Sequence, residues 1–98
     1  MANMKKKKPS EEELEELGVE SWGTWSKEES TFDWSYGDTE TFYVLEGKVE
    51  VEDPETGEKL EFGKGDLVQM NKGLKCKWNV KKPIRKHYTY DMDFGDIE

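Results

Sequence analysis

Four side chains in this sequence carry groups that could act on a small molecule: the Glu40 carboxylate, the Cys76 thiol, the Lys86 amine and the His87 imidazole. Each lies in a stretch with a period of two, so the rule that alternate strand residues share a face decides which of them can meet. Glu40 stands in "TETFYVLEG" among apolar and β-branched neighbours. Cys76 alternates with Trp78 and Val80 in "LKCKWNV". Lys86 shares a face with Ile84, Tyr88 and Tyr90 in "IRKHYTY", while His87 falls on the opposite face with Arg85 and Thr89. Parity therefore predicts that Trp34, Tyr36, Glu40, Phe42, Cys76, Trp78, Lys86 and Tyr88 face a common interior. A buried carboxylate is costly unless paired, and Lys86 is the available counter-charge. The expected arrangement is a mostly aromatic pocket with a Glu40–Lys86 pair and the Cys76 thiol at its floor. Such a pocket suits a small polar or amide-bearing molecule held by aromatic walls.

The same residues also fit a filled core. Small barrels need large side chains inside, and Trp34, Tyr36 and Trp78 would serve. Cys76 has no His on its face to activate it and can be a small buried hydrophobe. Lys86 fits the rim as well as the pocket, and His87 fits a surface or an interface.

The elements that must position these groups are mostly strands. "PSEEELEELGV" is the one helix signal: Ser10 and Glu13 make a capping box, Glu11 to Glu13 suit the positive end of the helix dipole, and Gly18 ends it. Beyond Gly18 the period changes. "VESWGTWSKEES" reads as one or two short strands broken at Gly23, and "TETFYVLEG" as a strand ended by Gly47. "KVEVED" places Val49 and Val51 on one face, Glu50 and Glu52 on the other. Turns at Pro54–Gly57 and "NKG" separate "KLEF", "DLVQM" and "LKCKWNV", and a last strand follows Pro83. Seven or more short strands with one N-terminal helix predict an all-β fold, a small antiparallel barrel or jelly roll. Residues 10–90 form one domain, flanked by a disordered Lys-rich tail over 1–9 and an acidic tail over 91–98. In "TFYVLE" both faces are apolar, so a second layer is expected, from the segment around Trp22 and Trp25 or from a second chain.

Composition bounds the function. Ninety-eight residues allow one core. A net charge of −8 argues against general nucleic-acid binding, which needs cations to neutralise phosphates. No apolar run approaches the roughly 20 residues of a membrane span, and "MANMKKKKP" lacks the apolar segment of a secretory signal. One cysteine excludes an internal disulfide and fits the cytoplasm or another reducing compartment. Four Trp, four Tyr and four Phe supply the core that a chain 39% charged otherwise lacks.

Two spacings carry a resemblance. Glu40 and Gly47 stand seven residues apart, and "GDLVQMNKGLKC" runs Gly65-Asp66, then Gly73 at a turn, then Cys76 three residues on. The chain thus resembles a small single-domain cupin over roughly Val19 to Tyr90. "FDWSYGDTETFYVLEGKVEV", "GKGDLVQMNKGLKCKW" and "PIRKHY" resemble the group that includes the cupin domain of ureidoglycine aminohydrolase, although "MNKG" stands where that group has Phe-Pro-x-Gly. The resemblance implies a cupin jelly roll and small-molecule chemistry. It also places Trp34 and Tyr36 at the His-x-His pair of metal-binding cupins, Glu40 at their Glu and Cys76 at their last His. Indole offers a metal no lone pair, and an ordinary phenol stays protonated at neutral pH. No metal cofactor is therefore expected.

Three functions stay open: a metal-free pocket binding a small polar metabolite; a hydrolase or lyase on an amide- or ureide-like nitrogen compound, with Glu40 as acid/base, Lys86 as anchor and Cys76 a further catalytic candidate; or a structural module with a filled barrel. A cavity of a few hundred cubic ångströms lined by Glu40, Cys76 and Lys86 would favour the first two. The expected partners are a small-molecule ligand and a second copy in a homodimer, with neither nucleic acid nor membrane.

Overall fold

A computed structural model describes residues 4–90. The elements run β1 (Met4–Lys7), α1 (Glu11–Leu17), a 3-10 turn (Val19–Ser21), β2 (Gly23–Lys27), β3 (Ser30–Ser35), β4 (Glu40–Asp53), β5 (Glu58–Gly63), β6 (Leu67–Met70) and β7 (Lys75–Tyr90). All seven strands join one antiparallel sheet in the order β1-β6-β4-β7-β2, with β3 also on β7 and β5 also on β4. The fold is the all-β, one-helix architecture that the strand pattern predicts.

Two long strands organise it. The first half of β4, Glu40–Tyr43, pairs with β6, and its second half, Lys48–Asp53, pairs with β5. In the same way β7 serves β3 with Lys75–Val80 and β2 with Ile84–Tyr88. Gly47 and Pro83 were expected to interrupt these strands, and instead both chains run through. The ladder slips between Val44 and Val49, which bends the pair. Gly47 (φ 106°) sits so close to β7 that a Cβ there would lie 2.4 Å from the Pro83 carbonyl oxygen. Pro83, having no N–H to offer a ladder, is tolerated beside this irregularity.

Val44, Val49, Val51, Phe42, Phe62, Val68, Met70, Trp78, Val80 and Ile84 form the core on the inner face. Phe42, Phe62 and Trp78 pack mutually with centroids 5.3–6.0 Å apart, a spacing that favours edge and tilted contacts. The capping box forms as expected: Glu13 N–H donates to Ser10 Oγ (3.1 Å) and Ser10 N–H to a Glu13 carboxylate oxygen (3.4 Å). Gly18 closes α1 in the left-handed conformation (φ 67°).

Three expectations are corrected. The Lys-rich stretch is not all tail, because Met4–Lys7 pairs with β6 and buries Met4 against the core. One apolar side chain and a backbone ladder suffice to cover what would be the open edge of β6. The segment after Gly18 begins with a 3-10 turn rather than a strand. Trp25, expected as an outer layer, lies on the inner face. The outer face of β4, with Tyr43 and Leu45, is flanked instead by Leu14 of α1 and by Val19. Residues 1–3 and the acidic stretch 91–98 lie outside the described residues.

Candidate functional site

At one end of the inner face lies a recess of about 100 Å³, lined by Trp25, Phe32, Trp34, Tyr36, Glu40, Trp78, Lys86, Tyr88 and Tyr90. Register explains how five segments meet there. Trp25 of β2 stands opposite Lys86, and Phe32 of β3 stands opposite Trp78. Glu40 at the start of β4 faces Tyr90, and Phe42 faces Tyr88. Tyr36 follows β3 and is pinned by backbone: its N–H donates to the Leu74 carbonyl (2.9 Å), and Gly73 N–H donates to its carbonyl (2.8 Å). The left-handed Gly73 (φ 92°) makes that clasp without the proline expected in the turn.

The charged centre is the Glu40–Lys86 pair, with Nζ to Oε2 at 2.5 Å and both side chains buried. The two are not opposite in register: Lys86 faces Val44, so its chain reaches back across Phe42 to Glu40. The ammonium lies 3.9 Å from the Phe42 ring centroid and 5.0 Å from those of Trp25 and Trp78, a desolvated cation–π arrangement. Burial lowers the Lys86 pKa below its ordinary 10.5, and the Glu40 carboxylate opposes that fall.

Around this centre the walls are aromatic. Phe32 stacks on Trp78 at 5.9 Å, and Trp25 meets Trp78 edge-on at 6.0 Å. Trp34 and Tyr90 form the exposed rim, 45% and 49% accessible. Tyr88 lies across the backbone of Gly23, where a Cβ would come within 2.8 Å of its ring. Burial pushes the Tyr36 phenol well above the ordinary 10.0, with Glu40 and then Cys76 adding to the rise. The Trp78 indole opposes that rise, but the two groups do not reach hydrogen-bond geometry. Tyr36 Oη and Trp78 Nε1 are both buried without a hydrogen-bond partner among the described residues. Two unsatisfied polar atoms at one small recess are unusual, since buried polar groups are overwhelmingly paired.

Six of the eight residues expected to share a pocket line this recess: Trp34, Tyr36, Glu40, Trp78, Lys86 and Tyr88. Phe42 and Cys76 do not. Phe42 is wholly buried beneath the Lys86 ammonium and serves as a platform. The Cys76 Sγ–H points to the Trp34 carbonyl oxygen at 3.6 Å, and burial pushes the thiol up to about 11. His87 contacts Thr24 Oγ1 through Nδ1 (3.2 Å) and lines the outer groove beside Tyr43 and Leu45. Trp25, Phe32 and Tyr90 were not among the expected residues. Phe32 has the parity of Trp34 and Tyr36, and Tyr90 that of Lys86 and Tyr88, so a stricter use of alternation would have found both. Trp25 carries no such signal, because only the β2–β7 register brings it to Lys86.

The residues at the metal positions of the family resemblance do not fit a metal. Glu40 is engaged by an ammonium, Cys76 is a protonated thiol turned to a carbonyl, and Trp34 stands at the rim. Among the described residues no group of three or more His, Cys, Asp or Glu side chains converges.

Comparison with known proteins agrees with this fold. A model of the EutQ-like cupin domain matches residues 14–88. The chain is a EutQ-like cupin. A DUF861 family protein of Thermotoga maritima is similar to it at 54% identity and a TM-score of 0.86, over 89% of this cupin and 98% of that chain. The EutQ protein of Clostridium difficile is 32% identical with a TM-score of 0.62, over 74% of this cupin and 56% of that chain. An ethanolamine utilization protein Q of Salmonella typhimurium, 21% identical over 89% of this cupin and 56% of that chain, shares the fold at a TM-score of 0.60. This cupin thus spans little more than half the length of the EutQ proteins. Among curated proteins none matches it. None of its described helices is long and apolar enough to cross a membrane.

Proposed function

We propose that this cupin uses the aromatic recess to bind a small, neutral, polar molecule carrying a carbonyl or amide group, without a metal. The observation that carries the reading is the pair of buried, unpartnered groups at one recess, Tyr36 Oη and Trp78 Nε1. Each has one hydrogen bond to donate to an acceptor oxygen. The Glu40–Lys86 pair is neutral as a unit, so a neutral guest costs less to bury than an ion. A volume of about 100 Å³ matches roughly three waters at ~30 Å³ each, or about five non-hydrogen atoms.

Two alternatives are less well supported. The recess is smaller than the few hundred cubic ångströms expected of a pocket and Cys76 does not line it, so most of the barrel is filled; a wholly filled barrel would still not leave this recess beside two orphaned polar atoms. Hydrolysis of an amide or ureide, which the likeness to the ureidoglycine aminohydrolase group would favour, asks for a base free to activate a water, and Glu40 is directed at the Lys86 ammonium at 2.5 Å.

A guest of about five non-hydrogen atoms gains at most about 1.5 kcal/mol from each, so its Kd is no tighter than roughly the low micromolar range and the titration runs from there into the millimolar range. With propionamide, the indole N–H resonance of Trp78 is expected to shift and saturate in heteronuclear NMR. Tyr36→Phe removes one donor and is expected to weaken that binding about three- to tenfold, while the unliganded protein keeps or slightly gains stability as an unpaired hydroxyl leaves the interior. A Trp78 resonance unmoved by propionamide, acetamide and urea would defeat the reading.

A further inference from the structure

Lys86 is more than the counter-ion of Glu40. An ammonium carries three donors. Among the described residues only one finds a hydrogen-bond acceptor, the Glu40 carboxylate, while the ammonium lies over the rings of Phe42, Trp25 and Trp78. The Lys86 side chain forms part of the recess wall. A proton acceptor stands 2.5 Å away. Tyr36 and Trp78 line the same recess, and each carries an unused donor, Oη and Nε1, buried within its wall. A buried amine beside a carboxylate, in the wall of a small apolar chamber whose wall also holds spare donors, is the set of groups that carbonyl addition needs.

We propose that Lys86 is an amine nucleophile that captures a small aldehyde or ketone in the recess as an imine. The inference rests on the binding reading above and adds a covalent step to it. The ammonium first passes a proton to Glu40, and the freed Nζ lone pair adds to the carbonyl carbon. A C–N bond forms as the carbonyl π pair moves to oxygen, where Tyr36 and Trp78 are available to donate. The proton released from nitrogen completes the carbinolamine hydroxyl. Glu40 then returns its proton to that hydroxyl, the C–O bond breaks, water leaves, and the nitrogen lone pair closes the C=N bond. One ammonium and one aldehyde give one protonated imine and one water, with Glu40 again a carboxylate beside a cation. No oxidant, reductant or metal enters the balance. Burial favours the neutral amine, in the direction already noted for Lys86. The size of the recess restricts the guest to carbonyl compounds of a few carbons.

The test is reductive trapping of the intact protein with propanal and cyanoborohydride at neutral pH, followed by peptide mapping. The expected result is a first adduct of one propyl group on Lys86, ahead of the exposed lysines, slowed by excess propionamide and lost in Lys86→Arg. The wild-type map decides the matter even where the Arg variant folds poorly. Propyl groups on exposed lysines with Lys86 unmodified would overturn the covalent step. If propionamide still shifts the Trp78 indole resonance in that case, the binding reading stands and the imine alone fails. If propionamide shifts nothing either, both fail.

Discussion

The inner recess and the outer groove of this cupin differ in an instructive way. The groove between α1 and β4, lined by Leu14, Val19, Tyr43, Leu45 and His87, is the larger, at about 370 Å³ against about 100 Å³. Yet its polar demands are met locally. The capping box satisfies the start of α1, Gly18 N–H donates back to the Glu15 carbonyl, and His87 has Thr24. The recess is smaller and holds a buried ion pair, three rings around one ammonium and two unpaired polar atoms. Volume is a weak guide to a binding site, and unmet hydrogen-bonding capacity in a low-dielectric wall is a stronger one.

The comparison can be broken most forcefully at the ion pair. Glu40→Ala leaves the Lys86 ammonium buried and alone, which is expected to cost about 3–5 kcal/mol. The urea midpoint should drop accordingly, and joining it to Lys86→Met should recover most of the loss. A Glu40→Ala protein as stable as wild type would mean that the pair is solvated and the recess is not dry. At the groove, Ser10→Ala removes the side-chain cap of an exposed seven-residue helix. A loss of about 1 kcal/mol is expected, with propionamide binding in the recess unchanged. A cap change that altered the Trp78 resonance would join the two regions into one.

A further effect, confined to alkaline pH, concerns Cys76, which does not line the recess. Its thiol is raised from the ordinary 9.0 to about 11, so the unfolded chain releases this proton more readily than the folded one. Stability is therefore expected to fall as the pH rises from about 9 to about 11, and this part of the fall should vanish in Cys76→Ala. A Cys76 that reacts quickly with a thiol reagent at neutral pH would contradict its placement.

The residues that sequence alone read well are those governed by local alternation. Glu40 and Lys86 were placed inward because a period-two strand leaves a side chain only two faces, and the demand that a buried carboxylate be paired then joined them. The helix, its Ser10–Glu13 box and its Gly18 stop were legible because capping is settled within four or five residues. Parity does not say how deep a side chain lies or what crosses it. Phe42 and Cys76 have the right face, yet one became a floor beneath an ammonium and the other turned to a backbone carbonyl.

By itself the sequence determined the all-β class, the one helix, the inward faces of β4 and β7 around the site and the identity of the buried pair, since each follows from short-range sterics and the cost of burying charge. The tertiary structure decided that Gly47 and Pro83 pass within strands, that Met4 closes the β6 edge, and that Trp25 stands opposite Lys86 to complete the recess. Those outcomes depend on the register between segments up to some sixty residues apart, as with Trp25 and Lys86. Such register is chosen by the packing of the whole sheet and leaves no mark in the local period of either strand.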